Sequence, residues 1–362
     1  MKKRILTGLT LVLTVLLSFS LLSAADSSAS SARRTGRAAA EIAKLLPPEL
    51  SRSLNLVPEN AIAVGFVNVE AITKGKLFNE IVKAAGMDWD AILAASGCKK
   101  EDADACALFY VKMTPPTAAN ADALPSLEIG GAMVYKRAST VSEQFAKSEE
   151  EIRKGMDGLD PEVKSSVKVE KIKVDGKDAI RVSMPEYNMT VVSIAAGKNV
   201  VQFRLFFNAE PVMALIPARG TITPLAASLN LQSAFSAAAD GPQVLALGGE
   251  ELGSPEFKSI RLASCSVTEE KKGLAVVFRI ASDIDNAQKI QAMIQVLLDG
   301  TKEDPSLKSV YSKTSVTVEK GTDVIVRTFI PSELILQNME LFKAMNDASA
   351  ASQTGSSQGT MK

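Results

Sequence analysis

The 362-residue chain balances 41 basic against 41 acidic residues, contains no histidine, and is 46% hydrophobic. Without histidine there is no Ser-His-Asp or Cys-His nucleophile, no imidazole acid or base and no His-based zinc site, which removes the most familiar hydrolase and metalloenzyme mechanisms. The neutral balance offers no electrostatic attraction for nucleic acid or an anionic membrane surface, while the apolar content is enough for folded cores.

The chain opens with Lys2, Lys3 and Arg4, then an apolar run from Ile5 to Leu22, then Ser23-Ala24-Ala25. Cationic, apolar and small residues in that order spell a secretory signal peptide with cleavage between Ala25 and Asp26. A retained N-terminal anchor is the alternative, because about 18 apolar residues can just span a bilayer. Thr7, Gly8, Thr10, Thr14, Ser18 and Ser20 interrupt the run and argue against an anchor. Cleavage removes three cations and leaves 38 basic against 41 acidic residues. The reading places the mature protein in the periplasm or outside the cell. About 337 residues then remain, more than one core usually holds, so two domains are expected.

Residues 26–55 read as a flexible leader, "DSSASSARRTGR", followed by a short amphipathic helix stopped by Pro47 and Pro48. From there the chain repeats itself. "VPENAIAVGFVNVEAITKGKLFNEI" from Val57 matches "GPQVLALGGEELGSPEFKSI" from Gly241, each read as a strand followed by helical turns. "IGGAMVYKRASTVSEQFAKSEEEIRKGM" from Ile129 matches "LAVVFRIASDIDNAQKIQAMIQVLLDG" from Leu274: a strand, a polar cap and a long helix. The helical stripe is Val141, Phe145, Ile152 and Met156 in one and Ile284, Ala287, Ile290, Ile294 and Leu297 in the other. "KVEKIKVDGKDAIRVSMPEYNM" from Lys168 matches "SKTSVTVEKGTDVIVRTFIPSELI" from Ser312, two hairpins turning at Asp175-Gly176 and Lys320-Gly321. The hairpin match requires a one-residue slip. The first copy adds a hairpin turning at Gly197-Lys198-Asn199 and an insertion over 87–128.

Lys171, Lys173 and Arg181 in one hairpin, and Thr317, Glu319 and Arg327 in the other, suggest one wet strand face opposite a face of Val and Ile. The expected fold is α+β: two tandem, duplicated strand-helix-hairpin units, each an antiparallel sheet with helices packed on one face. The first domain covers 56–220, the second 221–346, joined near "ARGTITPLAASLNLQ", and 347–362 is a disordered tail.

The candidate sites are few. Cys98 and Cys106 flank the polar run of the 87–128 insertion, and two cysteines this close in an exported chain default to a disulfide worth about 2–3 kcal/mol. Seven intervening residues do not make the C-x-x-C of a redox motif. Glu101, Asp102 and Asp104 lack the glycine and the final glutamate of a calcium loop. Cys265 sits in the strand-like "IRLASCSVTEE" and reads as a buried small hydrophobe. Ser96–Lys99 and Ser165–Lys168 have Ser-x-x-Lys spacing without the partner motifs of Ser/Lys acylases. Glu149-Glu150-Glu151 and Glu250-Glu251 are adjacent acids pointing different ways, not a glycosidase pair. "LGGEELG" at 247–253 lacks the lysine and spacing of a phosphate loop. Asn188-Met189-Thr190 fits the N-glycosylation pattern of eukaryotic secretion.

No catalytic residue, cofactor or metal ligand follows. The organisation resembles that of bacterial exported proteins and carries no functional residues. The expected function is non-catalytic binding or scaffolding with a protein or small ligand as partner, no nucleic acid, and no membrane once the signal is cleaved. Two alternatives stand beside it: a carboxylate- or Ser/Lys-dependent hydrolase, or an inhibitor of exported peptidases presenting residues 97–106 or "TPPTAANADALP".

Overall fold

The computed structural model describes residues 48–84, 105–114, 125–135, 166–248, 255–301 and 308–339. Twelve strands form one antiparallel sheet. The first seven are β1 (Ala63–Asn68), β2 (Ala105–Thr114), β3 (Ser126–Tyr135), β4 (Lys168–Val174), β5 (Lys177–Met184), β6 (Met189–Ala195) and β7 (Val200–Phe207). The other five are β8 (Phe235–Asp240), β9 (Leu262–Glu270), β10 (Gly273–Ala281), β11 (Ser315–Glu319) and β12 (Asp323–Pro331). Their order across the sheet is β11-β12-β10-β9-β8-β1-β2-β3-β7-β6-β5-β4. The two halves share one sheet: β1 and β8 pair directly, and their backbone hydrogen bonds join the described strands before residue 208 to those after 234. A free edge on either strand would leave a row of unsatisfied N–H and C=O groups, and pairing removes both edges at once.

The local signals behind the outer hairpins hold. Asp175 and Gly176 have φ of 48° and 74°, the left-handed conformations that a two-residue hairpin turn demands. Lys320 and Gly321 have φ of 54° and 75°. The first loop closes between Val174 and Lys177, the second between Glu319 and Asp323, one residue longer, which accounts for the one-residue slip.

Two expectations change. "GPQVLALG" is a helix, not a strand: β8 is the preceding "FSAAAD", and the chain turns helical where Asp240 Oδ1 accepts the Gln243 N–H at 3.0 Å. Alanine and serine carry little strand preference, so pairing on both sides, with β1 and β9, decides the conformation of β8. Pro48 opens a helix (α1, Pro48–Leu54), since a first-turn residue needs no N–H, while the helix expected before Pro47 lies outside the described residues. In the first hairpin the polar residues also split between faces: Lys171 pairs with Ile180 and Lys173 with Asp178, while Arg181 pairs with Glu170 on the other side. In the second, Arg327 donates to both Thr317 and Glu319, so all three share the expected face.

Helices lie on both faces. Short helices α2 (Val69–Lys74) and α3 (Lys76–Ala84) follow β1, and α4 (Pro224–Ala227) lies in the connector before β8. After β8 come α5 (Gly241–Gly248), α6 (Pro255–Lys258), the long α7 (Ile284–Thr301) and α8 (Lys308–Tyr311). The largest core joins Leu50 and Leu54 of α1 and Leu225 and Leu229 of the connector to Val64, Phe66, Leu108 and Ala132 on the sheet. Each such side chain contributes about 1.5–3 kcal/mol by leaving water. α7 packs Ala287, Ile290 and Ile294 against Val316, Val318 and Val324. Following the cross-strand pairs from Val324 through Ile280, Ala263 and Ala239 reaches Ala63, so α7 lies on the face opposite Val64. Of its expected stripe, Ile284 and Leu297 are each 68% exposed. An 18-residue helix is about 27 Å long, whereas five-residue β11 runs about 17 Å, so the helix overhangs its support.

Candidate functional site

The ionisable side chains converge on the face that carries the largest core. One register row crosses all twelve strands: Thr317, Ile325, Arg279, Ser264, Ala238, Val64, Tyr110, Gly130, Arg204, Val192, Arg181 and Glu170. Cross-strand partners share a face, so three arginines stand in line on one side of the sheet, and each holds a carboxylate. Arg181 pairs with Glu170, Arg204 with Glu128 and Arg279 with Asp323.

The middle pair is buried. Glu128 Oε1 accepts three hydrogen bonds: from Tyr110 Oη at 2.8 Å, Arg204 Nε at 3.0 Å and Arg204 Nη2 at 2.6 Å. Lys112 Nζ lies 4.0 Å from Glu128 Oε2. Gly130 makes the arrangement possible. A Cβ there would stand 2.3 Å from the Tyr110 hydroxyl and 2.4 Å from its Cζ, so only a residue without a side chain lets the ring cross β3 toward Glu128. Burial, then the hydrogen bond to Glu128, raises the Tyr110 pKa well above the usual tyrosine value, so the phenol is neutral and donates. The Arg204 guanidinium also sits 5.0 Å over the Phe206 ring.

These residues fasten the connector across the sheet. Arg204 Nη1 points to the carbonyls of Val212 and Ala214, each at 3.4 Å. Next to it in β7, Gln202 Oε1 accepts the Ile216 N–H at 2.7 Å and its Nε2 donates to the Ile216 carbonyl at 3.4 Å. Asp175 Oδ2 takes the Leu215 N–H at 2.8 Å. Glu128 is held by Arg204 and Tyr110 while Arg204 and Gln202 hold the connector, an arrangement that describes a clamp.

A second feature lies at the end of the same face. A groove of about 580 Å³ is lined by Ser183, Pro185, Asn188, Met189, Thr190, Asn208 and Ala209. The Asn-x-Thr pattern sits in it, with Asn188 left-handed at φ 47° after the 3₁₀ turn Pro185–Tyr187. Sequence reading found this stretch as a modification pattern and missed the groove, because Asn208, which completes it, is 20 residues away.

Of the sequence-predicted residues, Cys106 is half-buried at the margin of the largest core, while Cys98, Ala25 and Asp26 lie outside the described residues. So do Ser96–Lys99, Ser165, the two glutamate runs and the helix from Val141 to Met156. Cys265 is buried in β9 as a free thiol, its pKa pushed up to about 12 by burial. Among the described residues no three metal-ligating side chains cluster, and no helix is long and apolar enough to cross a membrane.

No protein-family profile matches the sequence, and no curated protein is similar to it. Solved structures of the treponemal protein TP0453 match much of the chain. Crystal form I is 13% identical with a TM-score of 0.37, covering 80% of this chain and 96% of that one. Crystal form IV is 11% identical with a TM-score of 0.43 over the same shares. Form III is 11% identical with a TM-score of 0.41, covering 79% and 96%.

Proposed function

We propose that this chain is an exported, non-catalytic bacterial protein that acts by binding or scaffolding in the periplasm or at the cell exterior. The observation that supports it best is the clamp: Tyr110, Glu128 and Arg204, the most concentrated ionisable group described, spend their hydrogen bonds on one another and on the connector. A sheet closed at its centre and strapped by its own connector suits a rigid surface for contact. The signal-like N-terminus and the lack of histidine agree with it. Its partners are a protein or a small ligand, and Cys98–Cys106 is proposed as a disulfide that ends on the first cross-strand pairs of β2.

The two halves are proposed as copies of one unit. Outward from the β1–β8 pair, the order β1-β2-β3 answers β8-β9-β10, and β5-β4 answers β12-β11, with hairpin β6-β7 inserted in the first half. β1 and β8 are both six residues long, and each ends in a helix cap: Asn68 Oδ1 accepts from Ala71 N and Asp240 Oδ1 from Gln243 N, both at 3.0 Å. The offset is 172 residues for strand starts, strand ends and caps alike.

Crosslinking in intact cells, followed by identification of what is joined to the protein, tests the binding role. Intact mass before and after reduction and alkylation tests the rest: an N-terminus at Asp26 and a shift for one disulfide are expected. Recovery from the cytosol with residues 1–25 attached and all thiols reduced would end the proposal.

A further inference from the structure

We propose that the groove at the end of β5, β6 and β7 is a binding site for an uncharged amide group, either a peptide bond or the N-acetyl group of a sugar. Two observations carry this. The first is an unsatisfied donor. Asn208 is left-handed at φ 48° and its backbone is fixed on both sides: its N–H donates to the Asn188 carbonyl at 3.0 Å and its carbonyl accepts from Ser126 Oγ at 2.8 Å. Its side-chain Nδ2 is buried without an acceptor. A buried amide donor left unpaired costs about 1–3 kcal/mol, so its retention needs a reason. A half-turn of χ2, a soft torsion in asparagine, releases Nδ2 from that position for an incoming acceptor.

The second observation is the chemistry of the lining. Ser183 and Thr190 face each other as a direct cross-strand pair and supply two hydroxyls that both donate and accept. Asn188 adds a second amide, and Met189 and Ala209 add apolar contact. No lining residue carries a charge, so an ion entering the groove would lose water without a counter-charge. A neutral amide fits each part: its carbonyl accepts from Asn208, its N–H donates to a hydroxyl, and its methyl or Cα lies on Met189. The groove, about 580 Å³ and open to solvent, has room for one amide group of a larger molecule.

The proposal gives the binding role a site and rests on that role, but the two fail separately, because crosslinked partners could be found with an empty groove. The test is nitrogen-15 NMR of the asparagine side-chain amides of the mature protein, titrated with N-acetylalanine methylamide, with N-acetylglucosamine and with acetate. A saturable shift of the Asn208 amide by either neutral probe is expected, and which probe acts names the source. Thr190→Val and Asn208→Asp should each weaken binding about tenfold, the worth of one buried hydrogen bond. Asn208→Gly, which suits the left-handed backbone, should do the same without disturbing the fold. No saturable shift from either amide, an equal response to acetate, or unchanged affinity in both Asn208 variants would overturn the assignment.

Discussion

On one face of one sheet, two arginine–carboxylate pairs stand on either side of the β1–β8 seam, and only one is covered. In Arg204–Glu128 the side chains are 10% and 14% exposed, because the connector lies over them. In Arg279–Asp323 the aspartate side chain is 8% exposed but the arginine side chain is 40% exposed. The covered pair gains a tyrosine donor, a cation and carbonyl contacts, whereas Arg279 is held by two bonds to Asp323 Oδ2, at 3.1 and 2.8 Å. The same motif in the same register thus acts as a clamp where a loop crosses it and as a near-surface pair where none does among the described residues.

Removing one partner separates them most widely. Arg204→Met leaves Glu128 buried without its main counter-charge and should cost about 3–5 kcal/mol in urea unfolding. Arg279→Met also strands a buried carboxylate, Asp323, but water reaches the place of the half-exposed arginine, so the cost should be smaller, about 1–3 kcal/mol. Equal losses would show that the connector contributes nothing to the first pair.

Gly130→Ala asks whether the clamp depends on the tyrosine. The new Cβ would collide with the Tyr110 ring, and the expected loss is about 1–3 kcal/mol. Tyr110→Leu should cost a similar amount, and the double variant should lose less than the sum of the two. Strict additivity in this cycle would mean that Gly130 does not act through the ring.

A smaller effect is confined to alkaline solution, where the second half should respond through Cys265. A thiol kept protonated in the fold above its ordinary 9.0 stabilises the protein fully below pH 9. That contribution is lost as pH rises toward 12, because the unfolded chain releases the proton first. The fall is at most about 1.4 kcal/mol per pH unit for this group. Unfolding of Cys265→Ala from pH 8 to 11 should show a shallower decline than the parent. Tyr110 acts in the same direction above pH 10, so a residual slope should remain.

The smallest test concerns what the halves share. Asn68→Ala and Asp240→Ala each remove a helix cap and should each cost about 1 kcal/mol in thermal or urea unfolding. A clear inequality would show that the two helix starts differ in context despite identical cap geometry. Asp240 has the added feature that burial raises its carboxyl pKa against the opposing hydrogen bond from the Gln243 N–H.

The outer strands were readable in advance because their signals are local. Asp175-Gly176 and Lys320-Gly321 each supply a glycine that tolerates the left-handed backbone of a tight turn, and the alternation on either side marks the strands. Helix α7 was readable for the same reason, although only Ala287, Ile290 and Ile294 of its stripe reach the sheet core. The site was far less legible. Tyr110, Glu128 and Arg204 are scattered over 95 positions, none belongs to a motif, and Gly130 gives no hint of the ring that crosses it. The groove showed only as an Asn-x-Thr pattern.

The sequence by itself determined which segments alternate, where they turn, and that no imidazole chemistry is available, since these depend on residue identity over a few positions. The tertiary structure alone decided that "FSAAAD" is a strand, that β1 and β8 merge both halves into one sheet, and that one ion pair is covered while the other is open. Backbone pairing between residues about 170 apart satisfies hydrogen bonds that every residue possesses, so side-chain identity carries almost no record of it.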